Sequence, residues 1–439
     1  MNRIAKVLLK NRNFFLLWSG QIAEQFGDSL NLMALIAFVL SLPAKPGAHL
    51  HTTNMSILMM WLGIPILFIG PFAGVFVDRI KRKTMLLFAA TGRGTLVLFM
   101  FLIIGNGKNE SAPFVYILVF LISVVTQFFI PAKSSFIPRL VKKGELLLAN
   151  SISATTTVIV QIFSYAIAGI IISEIGIRRT LFINVCTYII SVTTLIFIRT
   201  KENIKEKVKM KLKDVLGELK AGIKFLMGNN KIKFMARRVF ALMLFVGFFY
   251  VSFTSEFLHT IIERTGLPLK DIKALGFMQA CLGLGLVAGI FLIEHVVKRM
   301  KEITLIRLLF PLAGLGLVVL YITANYYYLL AMSFVCGIIG VMILSIAETA
   351  LQKSTPENMR GRVFAAYYVL RNSGTVIASI TTGMIVGFIN EDLIVLISGL
   401  LLIAYGLFNF FNTSLNRIKT RIQIKPQSID FYGKSTKNK

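Results

Sequence analysis

The chain has 439 residues, 56% of them hydrophobic and 36 of them Phe, with a mean hydropathy of +0.74. That composition excludes an ordinary soluble globular domain. The formal net charge of +28 would suit a nucleic-acid binder, but no basic patch is interleaved with aromatics, so no nucleic-acid partner is expected.

A bilayer core about 30 Å thick needs about 20 apolar residues at a helical rise of about 1.5 Å each. Twelve stretches meet this, at roughly 14–40, 55–77, 84–104, 114–137, 150–173, 179–198, 239–262, 272–297, 303–325, 326–352, 363–389 and 393–411. They must be helices, because lipid satisfies no backbone polar group, and they are far too long for barrel strands. If the N-terminus is cytoplasmic, cytoplasmic segments hold 37 of the 48 Lys and Arg and the outer loops hold seven. Four lie inside spans away from the soft outer ends: Arg93, Lys133, Arg307 and Arg371. This positive-inside pattern places both termini in the cytoplasm, and attraction to anionic lipid head groups accounts for most of the charge. The opening "MNRIAKVLLKNRNFFLLW" leads into a full span without a cleavage-like site, so the first span is expected to serve as the targeting signal.

The first span carries Gln21, Glu24, Gln25 and Asp28 at i, i+3, i+4 and i+7, one helical face. An ionisable group at mid-bilayer costs about 2.5 kcal/mol or more and needs a partner or a task. Two carboxylates one turn apart repel when both are ionised, so one is expected to hold a proton, as a proton-coupling site requires. Such a face serves proton coupling or the binding of a substrate cation; the alternatives are a structural ion pair in which Arg93 of the third span neutralises the acids, and the decoration of a water-filled cavity. The second span ends in "GPFAGVFVDRIKRK" (70–83), in which Asp78 precedes Arg79, Lys81, Arg82 and Lys83. Cations alone would serve as a topology signal; Asp78 is surplus to that and suits a contact with a helix N-terminus or a cation at the membrane edge. Gly74 there lets two backbones approach closely.

Residues 199–238 carry thirteen cations and four acids and cannot span. Leu212, Val215, Leu216, Leu219, Ile223 and Leu226 recur at helical spacing, which describes an amphipathic helix on the inner membrane surface. The seventh span has a second polar stripe, Ser252, Ser255, Glu256 and His259, read either as the wall of the same cavity or as a polar outer vestibule; His259, one turn from Glu256, is a candidate proton relay. "GLGLVAG" (283–289) mimics a dinucleotide-binding run but lies in an apolar span, so it is read as close helix packing. In the tenth span Glu348 has two candidate partners, Arg371 as a structural pair or Lys133 as a bridge between halves. Cys186, Cys281 and Cys336 are far apart within spans, and no metal-ligand or catalytic cluster is present. No metal, no cofactor and no enzymatic activity are expected.

"AGVFVDRIKRK" (73–83) after span two is echoed by "AGIFLIEHVVKRMK" (288–301) after span eight, and "IPRLVKKGELLLANS" (137–151) stands where "TPENMRGRVFAAY" (355–367) stands after span ten. Two matches at corresponding places argue for duplication, and duplicated transporters bind substrate at the interface of the repeats. The expected architecture is an all-α integral membrane protein with twelve transmembrane helices in two six-helix pseudo-symmetric bundles. The expected parts are 1–198, a linker 199–238, 239–411 and a basic tail 412–439.

Through these motifs, together with "NRNFFLLWSGQIAEQFGDSL", "PAKSSFIPRLV…LLLANS" and "ELKAGIKFL", the chain resembles the major facilitator superfamily, in the branch that includes macrolide and enterobactin exporters. The resemblance implies a secondary transporter working by alternating access. It implies that Gly74, Asp78, Arg79, Arg82 and Lys83 form a gating loop that latches to the start of the eleventh helix near Gly361 and Arg362. Lys81 stands where the family has a second Gly. In helix five, "SYAIAG" (164–169) lacks the Gly-Pro of the family's antiporter signature. The expected function is proton-coupled efflux of hydrophobic or amphipathic small molecules such as macrolide-like drugs. The alternatives are a siderophore exporter, a lysophospholipid transporter and a non-transporting membrane sensor. The expected partners are substrate, protons and membrane lipids, with a monomer in the bacterial inner or plasma membrane.

Overall fold

Residues 11–42, 50–77, 80–104, 112–200, 212–300, 302–356, 359–386 and 388–423 are described by a computed structural model, and every regular element among them is helical. The first half contains α1 (Arg12–Ser41), α2 (Leu50–Phe68), α3 (Gly70–Val77), α4 (Arg82–Ile104), α5 (Ala112–Leu140) and α6 (Leu146–Phe197). There follow α7 (Leu212–Gly228), α8 (Asn230–Ser252), α9 (Leu258–Thr265), α10 (Asp271–Arg299), α11 (Glu302–Thr323), α12 (Tyr326–Ser354), α13 (Arg360–Ile385) and α14 (Glu391–Gln423). A π-helical turn, Phe253–Phe257, joins α8 to α9.

Among the described residues, ten helices are long and apolar enough to cross a membrane. One of them, α6, runs 52 residues and breaks at Gly176, where φ is 81° and ψ is 169°. Glycine accepts that conformation without a Cβ penalty, so α6 supplies two crossings. The remaining crossing is α13, whose Arg360, Arg362, Arg371 and Asn372 depress its hydropathy below that of its neighbours. Together these give the twelve crossings expected. Large apolar side chains such as Phe68, Phe88, Phe114, Phe163 and Phe291 point outward around the molecule, as a lipid-facing surface requires.

Helices in lipid gain little from hydrophobic burial and associate through close packing at small residues. The "GLGLVAG" run is such a surface: Gly285 and Gly289 of α10 meet Phe334, Gly337 and Ile338 of α12, and Gly283 meets Ile162 of α6. Gly314 of α11 lies against Gly399 of α14, where an added Cβ would stand 2.5 Å from the Gly399 carbonyl oxygen. Gly74 behaves differently. A Cβ added there meets nothing within 4 Å, so the close approach expected of it is not made in this conformation.

The amphipathic α7 divides its apolar residues between two environments. Val215 and Leu226 are buried, and Gly222 lies against Arg362 and Ala366 of α13. Leu216, Ile223 and Met227 are exposed. The helix is thus anchored on α13 and keeps a second apolar edge for a membrane surface.

The two halves meet at the end remote from the basic segments. Gly169 of α6 faces Gly276 of α10, and a Cβ on Gly169 would lie 2.8 Å from the Ile272 carbonyl oxygen. Lys270 Nζ donates to the Ser173 carbonyl oxygen, and Lys273 Nζ stands 3.7 Å from Glu174 Oε1. On the other side Thr52 Oγ1 donates to Glu391 Oε1 at 2.8 Å, and Gly383 of α13 lies against Ser56 of α2.

A leucine at Gly276 places its Cβ 2.7 Å from the Tyr165 carbonyl oxygen, a backbone atom that cannot rotate away. In a protein whose three cysteines are replaced by serine, Gly276→Leu should make a cysteine at position 173 react with maleimide about tenfold faster, the equivalent of ~1.4 kcal/mol. Equal rates would show that this crossing does not hold the end shut.

Candidate functional site

The polar face of α1 is held between α4, α5 and α6. Its small residues set the approach: Gly20 lies against Thr194, and Gly27 against Asn184 and Thr187, all on the second segment of α6. This brings Glu24 and Asp28 to Arg93 of α4. Arg93 Nη2 pairs with Glu24 Oε1, and Arg93 Nη1 stands 3.5 Å from Asp28 Oδ2. Ser191 Oγ donates to Glu24 Oε2 at 3.2 Å, and Tyr188 donates its hydroxyl to Asp28 Oδ1 at 2.7 Å. The guanidinium also lies over the Phe129 ring at 4.4 Å and near the Tyr188 ring at 5.4 Å. A cation sandwiched by aromatic faces gains attraction from the ring quadrupoles.

The two acids differ in one respect that decides their chemistry. The Glu24 side chain is 3% exposed and the Asp28 side chain is 41% exposed. Asp28 owes its exposure to a cavity of about 290 Å³, whose wall also includes Gln25, Ser29, Asn31, Thr126, Gln161 and Tyr165. Glu24 is sealed against Arg93, while Asp28 can exchange with whatever enters. The repulsion between the two acids is therefore answered by a shared arginine. Lys133, 5.8 Å from the Phe129 ring centroid, lines a small crevice together with Gln21 and Glu24 and adds a second cation at the edge of the cluster.

Gln21 is a tether: its Nε2 donates to the Ser153 carbonyl oxygen and to Thr157 Oγ1, both at 2.9 Å, while Ser153 Oγ donates back to its Oε1 at 2.7 Å. Glu348 takes Arg371 rather than Lys133 as its partner, at 3.2 Å. His259 is placed at the corner of α9 and α10, with Nδ1 3.1 Å from Asp271 Oδ2 and Nε2 3.1 Å from Glu263 Oε1. It does not line the cavity beside Asp28. Glu256 lies in the π turn, and its side chain is outside the described set. Asp78 and Arg79 also lie outside the described residues. Of the remaining loop residues, Lys83 donates to the Ile196 and Ile198 carbonyl oxygens at 2.8 and 2.7 Å, capping the end of α6. Arg82 Nη1 reaches the Ile80 carbonyl oxygen at 3.4 Å. Arg362 bonds Glu218 of α7 at 3.0 Å, and neighbouring Gly361 faces open space.

Tyr188 and Ser191 were missed by sequence reasoning. Their signal was present, since Asn184, Tyr188 and Ser191 fall at i, i+4 and i+7, one polar face in an apolar span.

The family model described as Major Facilitator Superfamily matches residues 17–379. The chain belongs to the major facilitator superfamily. Its fold is that of solved members of this kind: the nucleoside transporter NupG superposes with a TM-score of 0.73 at 13% identity, covering 91% of this chain and 99% of that one. A bacterial homologue of the iron transporter ferroportin, in an inward-facing state, gives 0.68 at 15% identity, covering 92% and 99%. Among curated relatives, macrolide efflux protein A of Streptococcus pyogenes is 25% identical over 405 residues, 90% of this chain and 94% of its own. The MFS-type transporter YkuC of Bacillus subtilis (strain 168) is 26% identical over 366 residues, 81% of each chain. This MFS protein is a multi-pass membrane transporter and not an enzyme.

Removing one partner of a buried pair strands the other charge at a cost of about 3–5 kcal/mol. Arg93→Met should therefore lower the melting temperature of the purified transporter sharply, and adding Glu24→Gln should restore much of the loss. If the double variant melts no higher than Arg93→Met alone, Glu24 is not the charge that Arg93 neutralises.

Proposed function

We propose that this transporter exports hydrophobic or amphipathic small molecules in exchange for protons, with Asp28 as the coupling carboxylate. The observation that carries this reading is the unequal exposure of the two acids of α1, one sealed on Arg93 and the other open to a cavity. A coupling group must be reachable from the substrate cleft and must bind either a proton or a competing positive partner; Asp28 meets the first condition by position and the second by chemistry. Efflux rather than uptake is supported by the relationship to macrolide efflux protein A. The positive-inside distribution supports placing the basic end and both termini in the cytoplasm.

On that orientation the contacts at Gly169–Gly276 and Thr52–Glu391 close the outer side, and the cavity is loaded from within. The halves 1–198 and 239–411 move against one another about this cleft, tethered by 199–238. The loop 78–83 engages the start of α13 in the opposite state; in the present one Arg362 is occupied by Glu218 of the tether. Both sides of the cleft come from one chain, so a monomer suffices.

In proteoliposomes with an imposed pH gradient, Asp28→Asn should reduce gradient-driven substrate flux at least about tenfold, a loss of ~1.4 kcal/mol in driving the cycle. Unchanged gradient-dependent flux in this variant would remove Asp28 from the coupling role. Asp78→Ala should slow turnover and leave equilibrium binding within about twofold, since edge contacts of ~0.3–2 kcal/mol bias states rather than form the site. Loss of binding would count against a gating role.

A further inference from the structure

A second concentration of buried positive charge lies in the other half, at the end of the molecule that carries the basic segments. Arg238 of α8 is 2% exposed and Arg307 of α11 is 7% exposed. An arginine near the end of a span can snorkel its head into water; these two are buried instead. Arg238 Nη1 donates to the Phe234 carbonyl oxygen at 3.1 Å, and its guanidinium lies over the Phe234 ring. Tyr405 of α14, Arg307 and Arg237 are all near enough to Arg238 to interact electrostatically. Val239, Leu305, Ile306 and Phe310 belong to one buried apolar cluster, and Phe234 and Tyr405 pack against it.

The surroundings differ from those of Arg93, whose guanidinium is faced by two carboxylates. Two of the three groups named beside Arg238 are themselves cations. Three carboxylates of the same end pair elsewhere, Glu218 with Arg362, Glu294 with Lys298 and Glu348 with Arg371. Cations crowded into apolar surroundings repel one another at a cost that a shared anion offsets.

The seam between α11 and α14 indicates what carries that anion. The two helices pack closely where Gly406 meets Pro311 and Gly314 meets Gly399, and the Phe310 and Tyr405 ring centroids are 5.2 Å apart, edge to face. Leu308, Leu312 and Leu315 of α11 fall at i, i+4 and i+7 and are exposed, as are Leu401 and Phe408 of α14. The α11 leucines form a continuous apolar stripe that starts beside Arg307 and runs toward the middle of the span.

We infer that the ends of α8, α11 and α14 form a binding site for an anionic phospholipid: its phosphate accepts from the Arg307 guanidinium and the Tyr405 hydroxyl, with Arg238 behind them, and its acyl chain lies along Leu308, Leu312 and Leu315. Basic pockets between transmembrane helices on the cytoplasmic side take lipid head groups in this way, and the guanidinium fork matches phosphate oxygens. The site is separate from Asp28 and its cavity, and it needs neither the efflux reading nor proton coupling.

The test is native mass spectrometry of the delipidated full-length transporter, titrated with dioleoylphosphatidylglycerol or dioleoylphosphatidylcholine, which share their chains and differ in net charge. The first phosphatidylglycerol should bind at least about tenfold more tightly than phosphatidylcholine, the equivalent of ~1.4 kcal/mol. Arg307→Gln and Arg238→Gln should each bring that preference to within about twofold, while Lys298→Gln, which removes an exposed cation outside the site, should leave it unchanged. Tyr405→Phe keeps the ring contact and loses only the hydroxyl, so it should fold as the wild type does and weaken phosphatidylglycerol about threefold. Equal affinity of the wild type for the two lipids would overturn the site. So would an undiminished preference in Tyr405→Phe and in whichever arginine variant folds. Displacement of phosphatidylglycerol by inorganic phosphate would make a soluble phosphate the occupant and overturn the lipid assignment.

Discussion

A guanidinium buried in the first half organises everything around it. Arg93 is 1% exposed in a chain built to sit in lipid, where an unpaired charge would be costly. Its solution is complete: one carboxylate against one nitrogen, a second carboxylate within reach of the other, and two aromatic rings alongside. Those partners come from three helices, both acids from α1, Phe129 from α5 and Tyr188 from α6. Pairing Arg93 therefore fixes how α1, α4, α5 and α6 stand relative to one another. Glu24 is sealed against the guanidinium, while Asp28, at the edge of the pair, faces the cavity.

Among the described residues of the second half, close contact at small residues joins several helices. α10 and α12 meet through glycines, as do α11 and α14, and the charged pair Arg371–Glu348 is half exposed rather than sealed. The first half holds a cavity with a carboxylate, Asp28, on its wall, and the second half holds one whose wall is mainly apolar. Where the halves touch, they do so through Gly169 and Gly276, Gly283 and Ile162, Gly63 and Val376, Gly383 and Ser56 and a few polar contacts, and one buried apolar cluster runs across both.

Much of this was legible in the sequence for a simple reason: lipid forces helices, and length then counts them. The twelve spans and the charge distribution follow from that constraint alone, as does the polar face from Gln21 to Asp28. What could not be read was which partner each charge would take. Glu348 had both Arg371 and Lys133 as candidates and takes Arg371, and Tyr188 reaches Asp28 only through the approach that the glycines of α1 set toward α6. His259 looked like an extension of the α8–α9 polar stripe, yet the π turn shifts the register and leaves it with Asp271 and Glu263. Gly74, read as a contact point, faces open space in this conformation, because a residue that serves one state of a moving protein need not touch anything in the other.

The central claim is that one acid of α1 is sealed and the other is open to the cleft. Treatment of the purified transporter with dicyclohexylcarbodiimide, a lipophilic carboxyl reagent, followed by peptide mass spectrometry, tests it directly. The expected result is an adduct on Asp28 with Glu24 unmodified. Modification of Glu24 as fast as Asp28 would contradict it.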